Sequence, residues 1–390
     1  MTATLYRDCA LLDVDAGALR LGTSLLVEDG VLSRMRPTGD EGPLDDGTEV
    51  VDAGGTTAVP GMVDAHSHLT MPGGSHWIDR GSDPASTLRA VAEDNARLLR
   101  QAGVRWARDV GSPERDGRAV ALEVRDAWRG RSGYPYVRAA GTWLARAGTQ
   151  PGGGLMVEAA DGDALLAAAH RQLDAGADLV KLYLDGPDRD TSPFTAGEVR
   201  RVVEAVHERG ATVTAHSGLL PGARVAAEAR VDCVEHGFTL DADTAAAMAA
   251  GGVALVSTLA VLESWRTFAT TTGLPRFASE EGARVIAERR ERAHESVRLA
   301  YAAGVLLAAG TDFGGGSLRA NQLAWEVQTL VSAGLPPAAA LAAATVNGGR
   351  LLGEPEAGRL RAGGPADFVL VHGDPLSDPA ALWRVWRTSW

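Results

Sequence analysis

The chain has 390 residues, 45% of them apolar, which suits one large domain or a large domain with a small companion, and excludes disorder and fibrous repeats. Its 50 acidic and 38 basic residues leave a net charge of −12 with no basic cluster, which argues against a nucleic-acid partner. No window reaches the roughly 18 to 20 apolar residues of a membrane span, and two cysteines, Cys9 and Cys233, behind a start with no basic-then-apolar leader point to a soluble, cytoplasmic protein.

Residues 1–58 read as short strands punctuated by Asp-Gly and Gly-Gly turns. The segment 356–390, with AGRLRAGGPADFVLVHGDP, has the same character, so the two ends are expected to pair into a small β-sandwich. Residues 59–355 alternate β-rich runs with Ala/Leu/Glu/Arg helical patterns, the mark of an α/β fold with a parallel sheet. The runs are AVPGMVDAH, VRWARDVG, YVRAAG, LVKLY, TVTAH, DCVEHG, ALVSTL and LLAAGTD, and eight βα units predict a (β/α)8 TIM barrel. A doubly wound sheet is the alternative. Polar placement decides against it: His68, Asp109, Lys181, His216, His236 and Asp312 lie at or near the C-terminal ends of the runs, and in a barrel those ends converge on one site.

In the first run His66 and His68 are one residue apart on a strand, so alternation puts both imidazoles on one face, able to grip one ion. In the fourth, Lys181 is the only lysine of the chain and lies inside the apolar stretch AGADLVKLYL. A buried ammonium is costly unless paired. Either Asp185 or Glu235 neutralises it, or the amine, its pKa depressed, reacts with carbon dioxide to give a carbamate able to bridge two metals. His216 and His236 end the next two strands at matching depth, and in company with the HxH they read as further imidazole ligands. Asp312 sits between LLAAGT and FGGG, where the glycines leave space before a carboxylate; a helix N-cap is its other reading. His76, His170, His207, His294 and His372 fall on loops or helical segments and are expected to bind no catalytic metal.

VPGMVDAHSH, AGVRWARDVG, AGADLVKLYLDG, TVTAHS, VDCVEHG, AGTDFG, ATVNGGRLLG and GRLRAGGPADFVLV, in this order over nearly the whole chain, resemble the amidohydrolase superfamily. The likeness is to its imidazolonepropionase-like and Xaa-Pro or Xaa-Arg dipeptidase-like branch, with a weaker one to the follower-removing amidohydrolases of bottromycin-type pathways. The resemblance implies a binuclear centre, most often zinc. His66, His68 and Asp312 would hold one ion, His216 and His236 the other, and carboxylated Lys181 would bridge them. Two such ions share a hydroxide and lower its pKa, while Asp312 takes and returns the proton. Asp64 and Glu235 are expected to orient the imidazoles.

The sequence departs from the peptidase-like relatives in the loop after the third strand, where they carry Gly-Gly-His and this chain reads GTWLARAGTQPGGG. Gln150, Thr149 or Tyr183 would have to replace that histidine. Trp77, Trp143 and Trp265 fall in stretches read as loops over the site, implying an apolar or aromatic substrate group, and Gly152, Gly153 and Gly154 could hinge a lid. The expected activity is hydrolysis of an amide-like C–N bond in a small molecule or peptide, including modified natural-product peptides. The alternatives are a mononuclear heterocycle hydrolase or deaminase and an inactive ligand-binding barrel. Trp383, Trp386 and Trp390 would form an apolar stripe on a C-terminal helix, docked on the body of the protein or used in a homo-oligomer contact.

Overall fold

A computed structural model of the chain describes residues 3–149 and 155–390. Strands from both ends of the chain form one mixed seven-stranded sheet, in the order Val385–Thr388, Phe368–His372, Thr56–Pro60, Ala3–Asp13, Ala18–Glu28 and Val31–Pro37, with Glu49–Asp52 also on Ala3–Asp13. The ends meet where Phe368 to His372 pair antiparallel with Pro60 to Thr56. Hydrogen bonding makes this one sheet rather than the expected sandwich, and side-chain alternation supplies the reason. Phe368 and Leu370 enter a small core with Tyr6, Cys9 and Leu25, while Val369 and Val371 enter the main core. The main domain thus covers the face that a second sheet would have covered. Tyr6 meets Phe368 edge to face at 5.1 Å, the arrangement aromatic quadrupoles prefer.

Apart from a short antiparallel pair, Glu114–Arg115 with Arg118–Ala119, the remaining strands are parallel, and most are followed by helices. Their ladders divide them into a three-stranded sheet, Tyr136–Ala139, Val104–Asp109 and Met62–Ser67, and a seven-stranded one. The latter runs Met156–Ala159, Trp143–Arg146, Leu179–Tyr183, Thr212–Ser217, Cys233–His236, Ala254–Ser257 and Leu307–Ala309. Single parallel bridges, Ala140 to Leu179 and Ser67 to Phe313, link the two sheets, without a continuous ladder. All eight runs read as strands contain one. Trp143–Arg146 lies in the stretch read as loop and Met156–Ala159 just beyond it: four residues beside a glycine run are too few to show a period.

The covering helices follow from capping and spacing. Thr195 and Glu198 form a reciprocal capping box at the start of Ala196–Glu208, and Val199, Val202, Val203 and Val206 place one buried face on the sheet. The C-terminus holds no tryptophan helix. Residues Val385–Thr388 are a strand, Trp383 and Trp386 are partly exposed, and Arg105 lies over the Trp390 ring.

Candidate metal centre

The parallel strands deliver their polar residues to one edge. His66 and His68 leave the end of Met62–Ser67 with rings 5.3 Å apart, and the Nε2 atoms lie 3.3 and 3.2 Å from Asp312 Oδ1. His216 and His236 end adjacent strands with rings 4.6 Å apart, and His236 lies 4.7 Å from His66. Donor atoms of His66, His236 and Asp312 fall within 4.8 Å of one another, close enough for a common ion. Two of these residues adopt left-handed backbone, His236 at φ 70° and Asp312 at φ 53°, a conformation L-residues hold only when their surroundings impose it. The glycines around Asp312 are steric necessities: a Cβ on Gly310 would lie 2.4 Å from His66 Cβ, and one on Gly315 2.1 Å from His68 Cδ2.

Each imidazole is tied through one ring nitrogen. His66 Nδ1 donates to Glu235 at 2.6 Å and His68 Nδ1 to the Gly111 carbonyl at 2.6 Å. His236 Nδ1 lies 2.8 Å from Thr258 Oγ1. His216 is tied through the other nitrogen, Nε2, 3.3 Å from Asp185. Carboxylates and carbonyls only accept, so the tied nitrogens of His66, His68 and His216 donate, while the second nitrogens of His66 and His68 both face Asp312 Oδ1, where a cation would have to lie between them and the carboxylate. Burial lowers the pKa of His66 and, further, that of His236, favouring the neutral rings that metals need.

Lys181 is 3% exposed and forms no ion pair within 4.0 Å among the described residues. The carboxylates that could have neutralised it are engaged elsewhere. Glu235 takes His66, Arg108 and Thr214, while Asp185 takes His216, Ser217 and the amides of Gly218 and Leu219. Burial, offset only in part by Glu235, brings the Lys181 amine down to about 8. Burial also opposes ionisation of Glu235, yet Arg108, Lys181 and His66 outweigh it and hold that carboxyl well below its usual range.

Of the two expected orienting residues, Glu235 does hold an imidazole, that of His66 across the site, since alternation points it away from its neighbour His236. Asp64 reaches no imidazole ring: it accepts from the Thr311 hydroxyl and from the amides of Thr311 and His66, fixing the turn that presents Asp312. Asp109 likewise ties the amides of Leu69 and Gly111, and burial pushes its pKa up to about 6. Arg108, Gly111, Asp185 and Thr258 escaped the sequence reading as partners. Arg108 alone carried a signal, a charge inside a buried strand.

A cavity of about 410 Å³ opens above these residues, lined by the four imidazoles, Lys181, Asp312, Tyr183, Trp77, Trp143 and Trp265. The tryptophans line it as expected but from regular elements, Trp77 from a 3-10 helix, Trp143 from a strand and Trp265 from the helix Ala260–Thr271. Trp143 packs on His68 at 5.0 Å and Tyr183 stacks on His216 at 4.0 Å. Thr149 is absent from the lining; its hydroxyl closes a turn on the Arg146 carbonyl at 2.7 Å. Gln150 and Gly152 to Gly154 lie outside the described residues. The other five histidines line no part of the cavity.

The amidohydrolase family model matches residues 57–387. The chain belongs to the amidohydrolase family. An uncharacterized protein of Mycobacterium tuberculosis is 33% identical over 347 residues, 86% of this amidohydrolase and 84% of the relative. The imidazolonepropionase of Deinococcus deserti is 25% identical, with 92% and 87% covered. Among solved structures, a Xaa-Pro dipeptidase with bound methionine superposes with a TM-score of 0.83 at 24% identity, covering 99% of this amidohydrolase and 98% of that chain, a likeness of fold. This amidohydrolase is therefore an enzyme of a C–N hydrolase family.

Proposed function

We propose that this amidohydrolase cleaves an amide-like C–N bond in a small molecule or peptide, at a binuclear zinc centre on an eight-stranded barrel. The observation that carries the reading is the convergence of four imidazoles, each held from one side, with the second nitrogens of His66 and His68 turned to the Asp312 carboxylate. Neutral imidazole and carboxylate suit zinc and related divalent ions. His66, His68 and Asp312 would hold one ion, His216 and His236 the other, and Lys181 would bridge them. For that, Lys181 Nζ adds to carbon dioxide: an N–C bond forms as the nitrogen loses a proton, and the amine lowered to about 8 is neutral often enough to react.

Held there, two cations would supply a water of lowered pKa and a polarised scissile carbonyl. Asp312 accepts the proton of the attacking water on its carboxylate and delivers it to the leaving nitrogen. Glu235, Asp185, Thr258 and the Gly111 carbonyl hold the rings in place while this happens. Tyr183, in the cavity wall against His216, takes the part of the loop histidine found in peptidase-like relatives and donates to the carbonyl of the substrate. Trp77, Trp143 and Trp265 receive an apolar or aromatic group. The likeness to a dipeptidase puts dipeptides and N-acyl amino acids first among substrates, ahead of lactams and thiazoline-containing peptides.

A mononuclear site is the second reading, favoured by the tight cluster of His66, His236 and Asp312, which draws on both expected ion positions. Metal analysis of zinc-loaded protein, run beside a hydrolysis screen of those four classes, separates the readings. Two equivalents per chain with turnover are expected. One equivalent with turnover selects the mononuclear site, and neither metal nor turnover leaves a ligand-binding barrel.

A further inference from the structure

The hydrolytic centre leaves two charged side chains of the cavity, Arg189 and Arg289, without a task. Arg289, on the helix Glu280–Ala302, lines the cavity half-buried, its guanidinium 5.6 Å from the centre of the Trp265 ring. Among the described residues it has no ion pair within 4.0 Å, whereas Arg284, Arg290 and Arg298 of the same helix all pair with glutamates. The groups that act on it are Arg189, Asp185 and Tyr183. Asp185 is committed to His216, Ser217 and two amides, and Arg189 brings a second positive charge to the same cavity. Burial and then Arg189 push the Arg289 guanidinium below its usual range. Two guanidinium groups facing one cavity, neither with an ion pair among the described residues, are a standing cost that an anion with several oxygens would remove.

We infer that Arg289, with Arg189 at the rim, binds a carboxylate of the substrate, so that the substrates are N-acyl amino acids or peptides with a free carboxylate whose apolar part lies on Trp77 and Trp265. The inference rests on the hydrolytic reading for the word substrate. The binding itself is independent of turnover, because among the described residues Arg289 forms no hydrogen bond or ion pair with the imidazoles or with Lys181. The guanidinium fork matches a carboxylate bidentately, which an ammonium cannot.

The test compares N-benzoylglycine with N-benzoylglycinamide, by calorimetry on the zinc-loaded full chain. Arg289→Gln should weaken the carboxylate ligand about 10- to 100-fold, the worth of a charge-assisted hydrogen bond, and leave the amide nearly unchanged. Arg289→Lys should recover part of the loss. Equal weakening of both ligands, no weakening, or no binding of N-benzoylglycine to the unaltered protein would overturn the proposal. Turnover of carboxylate and carboxamide substrate pairs is read separately. Selective loss of carboxylate binding in Arg289→Gln without cleavage of any C–N substrate would refute the hydrolase reading and leave the anion site standing.

Discussion

On the floor of the cavity, four imidazoles and an aspartate come from strand ends, and each ring is fastened by a partner on its far nitrogen. On the wall, Trp77, Trp265 and Arg289 come from helical segments and stand partly exposed, and among the described residues Arg289 has no ion pair. The contrast separates two tasks. Ladder hydrogen bonds hold neighbouring strands about 4.7 to 4.9 Å apart, so groups at strand ends keep the spacing that ion binding demands. Helices packed on the outside shift more freely and can change selectivity without disturbing that spacing.

Substitutions at the two levels should therefore fail in different ways. Lys181→Ala is expected to have the largest effect, loss of turnover together with bound metal, with partial recovery in short carboxylic acids or high bicarbonate; full activity in this variant would exclude the bridging role. Glu235→Gln, which frees His66 and leaves Arg108 without its counter-charge, should cost about 10- to 100-fold in metal affinity or turnover, read by chelator competition. On the wall, Trp265→Ala should raise KM several-fold with metal content intact, and a matching loss of metal would erase the distinction between floor and wall.

The smallest effect concerns Glu326, which joins the two levels. It accepts from Ser257 Oγ at 2.5 Å and from the Ala260 amide at 2.6 Å, tying the strand end to the helix that carries Trp265. Burial raises its pKa from an ordinary 4.5 to about 7. A carboxyl raised on folding stabilises as the neutral acid: the contribution is full below about pH 4.5 and is lost as pH rises through about 7. Thermal unfolding between pH 5 and 8 should show this decline, with a flatter profile in Glu326→Gln. Equal slopes would assign the decline to other groups.

Much of this was legible along the chain. The alternation of β-rich and helical patterns exposed eight strands, and the only lysine, the HxH and the strand-end histidines marked the site, because a polar group in a buried apolar run must be paired or put to use. Other features had no local trace. Trp143–Arg146 is a strand only because neighbours pair with it, Asp185 serves His216 rather than Lys181, and Asp64 serves a turn 247 residues away.

Residue type and period thus determined by themselves which side chains gather at the candidate site and which end of each strand carries them, since burial costs and side-chain alternation are local rules. The tertiary structure alone decided which nitrogen of each imidazole is tied, that Glu235 reaches His66 through the interior, and that Arg289 has no counter-ion among the described residues. Those are distances between residues far apart in sequence, and no period along a chain encodes them.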